Sequence, residues 1–125
     1  MPTSPKLLLI LIALLEGVVG LLLIVAPAEV IAGSIPGIAA GVDGVAMART
    51  AGTALVSLGV LAWLARNTSD PAALRPVLGA LIAYNVLATL NLLYQASTIA
   101  PGSLVPALIH LALSVALVFY WRKTA

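Results

Sequence analysis

Residues 7–26 read LLLILIALLEGVVGLLLIVA, twenty positions with a single ionisable group, Glu16. A helix rises about 1.5 Å per residue, so this stretch spans about 30 Å, the hydrocarbon thickness of a bilayer. Its apolar residues are not confined to one face, since Leu7, Ile10, Leu14 and Leu21 continue round the circumference with no charge among them. A helix of a soluble bundle keeps a polar outer face, and this one has none. In lipid every backbone amide must be bonded within its own segment, so the run is read as a membrane-spanning helix. It also imitates a secretory signal, with Lys6 before it and Ala26-Pro27-Ala28 at its end. The apolar run is longer than a signal core of about 7–15 residues, and Glu16 interrupts it. The expectation is a retained first helix.

Outward from this stretch, residues 45–65, 76–94 and 104–121 repeat the pattern, each bounded by breakers or charges. Gly41, Asp43 and Gly44 precede the second span, Arg66-Asn67-Thr68-Ser69-Asp70-Pro71 separates the second from the third, and Pro101-Gly102 separates the third from the fourth. Strand alternation is absent. Of 125 residues, 62% are hydrophobic and 8% charged, against about 25% charged in soluble domains; so few charges cannot cover a water-facing surface. The fold expected is an all-α, integral membrane four-helix bundle, one domain over residues 1–125, with one long outer loop at 27–44. That loop is rich in Gly, Ala and Ile, and is expected to lie at the interface or to cap the bundle. Aligning Lys6 with Arg75 sets Glu16 opposite Asn85, a polar residue at equal depth in each half.

Basic residues orient the bundle. With the N-terminus inside, the cytoplasmic segments hold Lys6, Arg66, Arg75, Arg122 and Lys123, while the outer segments hold at most Arg49. This positive-inside bias predicts a multi-pass protein of the cell (inner) membrane with both termini cytoplasmic. Trp63, Tyr120 and Trp121 then fall at the inner interface and Tyr94 near the outer one. The net charge of +2 is scattered, with no basic stripe or aromatic-interleaved patch, so nucleic acid is not an expected partner; the lipid bilayer is.

The composition also narrows the chemistry. There is no cysteine and one histidine, so thiolate catalysis, cysteine-ligated metals and multi-histidine metal or haem sites have no ligands within one chain. Ser57, Ser97 and Ser103 have no credible base and orienting acid, His110 being the sole candidate. No catalytic residue, metal or cofactor is expected.

Polar groups at membrane depth each cost on the order of 2.5–3.5 kcal/mol on insertion scales for an ionised side chain, and so require a reason. Glu16 lies near the middle of the first span, Arg49 about one turn into the second, and His110 about two turns into the fourth. Tyr84, Asn85 and Asn91 lie on the third. Helical spacing aligns Ala13, Glu16, Gly17 and Gly20 on one face; Arg49, Gly52, Val56, Gly59 and Trp63 on another; Tyr84, Ala88, Asn91 and Gln95 on a third; and Ser103, Pro106, His110, Ser114 and Leu117 on a fourth. If these faces meet, a polar cluster forms in the outer half of the bundle. Two readings follow. Glu16 and Arg49, offset by about 9 Å along the axis, form a structural ion pair with Asn85, Asn91 and His110 as interhelical hydrogen-bond glue. Alternatively, Glu16, Arg49, Tyr84, Asn85, Asn91 and His110 form a ligand or proton site in which Glu16 titrates. A third possibility leaves some of them facing a partner subunit.

Ala48-Arg49-Thr50-Ala51-Gly52-Thr53-Ala54-Leu55, followed by Leu58-Gly59 and Ala62-Trp63-Leu64-Ala65-Arg66, resembles small bacterial four-helix membrane proteins grouped as DoxX-like; Glu16-Gly17, Gly20, Tyr84-Asn85, Pro106 and His110 fit the same pattern. The resemblance covers most of the chain and implies a four-helix bundle, sometimes a subunit beside a redox or transport partner. This sequence lacks a cofactor-ligand set, which sets a redox role aside. Four helices in a short chain with a glutamate midway along the first also look like the small multidrug-resistance transporters, where Glu16 corresponds to the proton- and substrate-binding acid. The tryptophan-bearing, aromatic-rich third helix of that group and the lysine after its first helix are missing here. The leading expectation is a non-enzymatic accessory subunit or homo-oligomeric membrane component. The alternative is a proton-coupled transporter or binder of a small hydrophobic or cationic compound using Glu16. A membrane enzyme or quinone site built on His110, Tyr84 and Asn91 ranks last.

Overall fold

The computed structural model describes residues 4–35 and 37–124. Over these residues the chain is helical: α1 (Lys6–Val25), α2 (Pro27–Ser34), α3 (Val42–Ala65), α4 (Pro71–Thr98) and α5 (Leu104–Lys123), with a single 3-10 turn at Pro101–Ser103 leading into α5. Four of them, α1, α3, α4 and α5, are long and apolar enough to cross a membrane.

Helix ends follow the local chemistry. Pro27, at the first position of α2, cannot continue the α1 hydrogen-bond ladder, so the chain turns there. Asp70 caps α4 by accepting a hydrogen bond from the Ala72 amide at 3.0 Å, and Pro71 occupies the first helical position, where no amide donor is needed. The third span therefore begins at Pro71 and ends at Thr98, longer at both ends than the expected 76–94. Pro76 does not start the helix; it sits in its second turn, where it removes only one intrahelical bond. The expected loop 27–44 is likewise half helical. Its first part is α2, with Glu29 in the first turn, and α3 starts at Val42, with Gly41 as cap and Asp43 in its first turn, where an acid complements the helix dipole.

α1 buries one narrow stripe, Leu9, Ile12, Ala13, Glu16 and Gly20, with Leu8, Leu15 and Leu23 half-buried beside it, and leaves its opposite face exposed. Leu7 is 74% exposed, Leu14 57% and Val18 53%. The other long helices also show Leu, Val and Ile outward, Val105 and Val115 among them. Apolar surface of this extent, continuous round the bundle, is compatible with acyl chains and not with water.

The helices associate as two antiparallel pairs. In the first, α1 and α3 approach until their backbones touch: a Cβ on Gly52 would lie 2.6 Å from the Gly20 carbonyl oxygen, and one on Gly20 2.7 Å from the Gly52 carbonyl oxygen. Only glycine allows this proximity, and close backbone approach is how helices adhere in lipid, where apolar burial alone gives no drive. In the second pair, α4 and α5 run side by side from Asn85 with His110 to Gly79 beneath Trp121. The pairs join at the end that carries the chain termini, through Leu9, Ile12 and Ala13 of α1, Ala62 and Ala65 of α3, Leu74, Leu78 and Leu81 of α4, and Leu113 and Leu117 of α5. At this same end Arg66 lies over Trp63, Arg75 over Trp121 and Lys123 over Phe119, at 3.7, 4.3 and 4.3 Å from the ring centroids. These cation–π contacts tie basic heads to an aromatic rim.

Candidate ligand cleft at Glu16

Beyond the sealed end, the pairs part. A cleft of about 670 Å³ opens between them from the middle of the bundle towards the connections. α1 contributes Leu15, Glu16, Val19 and Leu23; α4 contributes Tyr84, Leu87, Ala88, Asn91 and Leu92; α5 contributes Pro106, Ile109 and His110. Val30 and Ser34 of α2 and Leu55 of α3 complete the wall. The Gly, Ala and Ile loop thus supplies part of the cleft's rim through α2.

Glu16 is 2% exposed. Its Oε2 accepts a hydrogen bond from the Tyr84 hydroxyl at 2.9 Å. Its Oε1 is buried and has no hydrogen-bond partner among the described residues. Leaving a buried acceptor unpaired costs about 1–3 kcal/mol, more for a charged group, so this atom is the most expensive feature of the site.

Beside it lies a second polar unit. Asn85, fully buried, donates through Nδ2 to the Leu81 carbonyl at 2.8 Å. That fixes its amide orientation and turns Oδ1 to His110 Nδ1, 2.8 Å away. The amide oxygen can only accept, so the proton of this bond belongs to Nδ1. Thr89 donates to the Asn85 carbonyl and Ser114 to the His110 carbonyl, each at 2.8 Å. The two units touch where the Tyr84 and His110 rings meet edge to face, centroids 5.6 Å apart.

Of the six residues singled out from the sequence, four come together: Glu16, Tyr84, Asn85 and His110. Asn91 lines the cleft on an exposed stretch of α4. Arg49 is absent from the site. The expected ion pair of Glu16 with Arg49 does not form: Glu16 turns to Tyr84 instead, its other oxygen is unpaired, and Arg49 is exposed. The reason is the glycine seam. Gly52 seats against Gly20, which places Arg49 level with the last turn of α1, and the α3 stripe of Gly52, Val56 and Gly59 faces α1 rather than the polar cluster. What sequence reading missed is α2. Proline at its first position and Glu29 in the first turn were the available signals.

Among the described residues no three of His, Asp and Glu stand close enough to hold a metal ion. Compared with known proteins, the chain matches no family model, no curated protein and no solved structure.

Proposed function

We propose that this chain is a multi-pass membrane protein that binds a small amphiphilic compound in the cleft between its helix pairs, with the compound's polar head at Glu16. One observation carries the reading: Glu16, almost wholly buried and with one carboxyl oxygen lacking a partner among the described residues, is one of the residues lining a roomy cleft whose wall is mostly Leu, Val, Ile and Ala. An apolar side chain there would avoid the cost of the orphaned acceptor. A bound head group would satisfy it, and the apolar wall suits the body of such a molecule. The role is one of binding or transport rather than of catalysis. The basic end, with Lys6, Arg66, Arg75, Arg122 and Lys123, faces the cytoplasm, so the cleft opens towards the outer leaflet. In this reading Glu16 does the work that the likeness to small multidrug-resistance transporters assigns to their acid. The test is binding of an alkyl amine to the protein in lipid nanodiscs, comparing wild type with Glu16→Gln. Saturable binding lost in the variant supports the reading; binding equal in both removes it.

A second reading, the accessory subunit or homo-oligomer, is favoured by Arg49, an exposed guanidinium eight positions into α3. A charge on the outside of a spanning helix is supplied with a partner or snorkels to the interface. Mass measurement of the protein in nanodiscs, before and after Arg49→Ala, separates these. A stable oligomer that dissociates in the variant supports it, and a monomer in both rejects it.

A further inference from the structure

We infer that the cleft selects its ligand by N–H donation, taking protonated primary and secondary alkyl amines over quaternary ammonium ions of the same chain length. The inference rests on the binding role proposed above and concerns the chemistry of the head group.

Within the Glu16–His110 cluster each side-chain donor atom already makes an internal hydrogen bond. The Tyr84 hydroxyl is given to Glu16 Oε2, the Asn85 amide to Leu81, the His110 Nδ1 proton to Asn85, and the Thr89 and Ser114 hydroxyls to backbone carbonyls. Ser34 on the rim donates to the Val30 carbonyl. What is left over is acceptors. Glu16 Oε1 has no partner among the described residues. With the ring proton held on Nδ1 by Asn85, the neutral imidazole keeps a lone pair on Nε2, and His110 stands in the cleft wall. Among the described residues that line the cleft, Asn91 alone carries an uncommitted amide, and none is Lys or Arg. A ligand that fits must bring donors.

An alkylammonium head brings two or three N–H groups on one atom, enough for Glu16 Oε1 and a second acceptor. A trimethylammonium head brings none. Recognition of such ions relies on a cage of aromatic faces, and here the aromatic rings are Tyr84 and His110, already packed edge to face on one another. The tryptophans, Trp63 and Trp121, belong to the opposite end of the bundle and do not line the cleft.

Depth separates a free amphiphile from a lipid head group. Glu16 lies ten residues after Lys6 and nine before Val25 in α1, about 14–15 Å from either end. A phosphate tethered to an ethanolamine would have to enter the middle of the hydrocarbon to deliver its ammonium there.

The experiment uses the full chain in phosphatidylcholine nanodiscs and measures equilibrium binding of dodecylamine, N-methyldodecylamine and dodecyltrimethylammonium. The expected result is that the primary and secondary amines bind about tenfold or more tighter than the quaternary ion, with the preference abolished in Glu16→Gln and reduced in His110→Phe. Because the ligand series is read on the unaltered protein, it remains decisive if a variant fails to fold. Equal affinity for all three ligands, still dependent on Glu16, overturns N–H selection and leaves the binding role standing. Absence of saturable binding by any of them overturns both. Adding phosphatidylethanolamine to the discs is expected to leave amine affinity unchanged; competition by that lipid would overturn the assignment to a free amphiphile.

Discussion

The two ends of this bundle are made from the same four helices, yet one closes on a leucine core, with a smaller pocket of about 310 Å³ at its rim, and the other is split by the cleft of about 670 Å³. At the end with the chain termini, Leu9, Ile12, Leu78, Leu81 and Leu117 are completely buried, and large side chains from both helix pairs interdigitate. At the other end the facing positions are Glu16, Tyr84 and His110, with Ala88 and Pro106 beside them. Leucines are still present there, Leu15, Leu23, Leu87 and Leu92 among them, but they line the cleft walls instead of closing a shared core. α1 takes part in both: its first half is core and its second half is wall. The glycine seam holds α1 to α3 from Ala13 to Ile24, so the cleft forms between rigid pairs and not by local loosening of one helix.

The largest effect is expected at the seam. Gly52→Leu places a side chain against the Gly20 carbonyl, and overpacking of this kind is expected to lower stability by about 3 kcal/mol, read as unfolding in mixed detergent micelles. If the loss is slight, the helix pairs are not rigid units.

At the sealed end, Leu78→Ala is expected to cost about 2 kcal/mol. This is the low end of the range for a buried leucine, because in a membrane the vacated surface meets lipid instead of water and only the packing is lost. The same detergent titration measures it.

At the open end the expected change is smaller. Glu16→Leu removes an unpaired buried oxygen but also the acceptor of the half-buried Tyr84 hydroxyl; the two effects oppose, so stability is expected to hold within about 1 kcal/mol, while amine binding in nanodiscs disappears. A large loss of stability would mean that Glu16 serves the fold rather than a ligand. The smallest effect belongs to the mouth of the cleft: Leu87, 65% exposed, is expected to tolerate alanine within about 0.5 kcal/mol.

Much of the fold was legible because the hydrocarbon thickness sets a length that residues 7–26 meet almost by themselves. The polar faces of the third and fourth spans were legible for a similar reason, since helical spacing alone puts Tyr84 with Ala88 and Asn91, and Pro106 with His110. Pairing between helices was not. Whether Glu16 finds Arg49 or Tyr84 depends on how α1 and α3 are rotated against each other, and that rotation is set by the contact of Gly20 with Gly52 rather than by charge. The helix α4 extends beyond the apolar stretch 76–94 at both ends, and the signal for its start is Asp70 followed by Pro71, a cap and a first-turn residue. α2 escaped notice because eight residues carry too little periodicity to stand out from a Gly- and Ala-rich loop.

Ligand binding here depends on the Glu16 carboxyl being within reach of the cleft at mid-membrane depth. A hydrophobic carbodiimide added to the protein in intact bilayers, followed by peptide mass mapping, addresses it directly. Adduct formation at Glu16, suppressed when an alkyl amine occupies the cleft, is the result this account predicts. An unmodified Glu16, or labelling that ignores the amine, would contradict it.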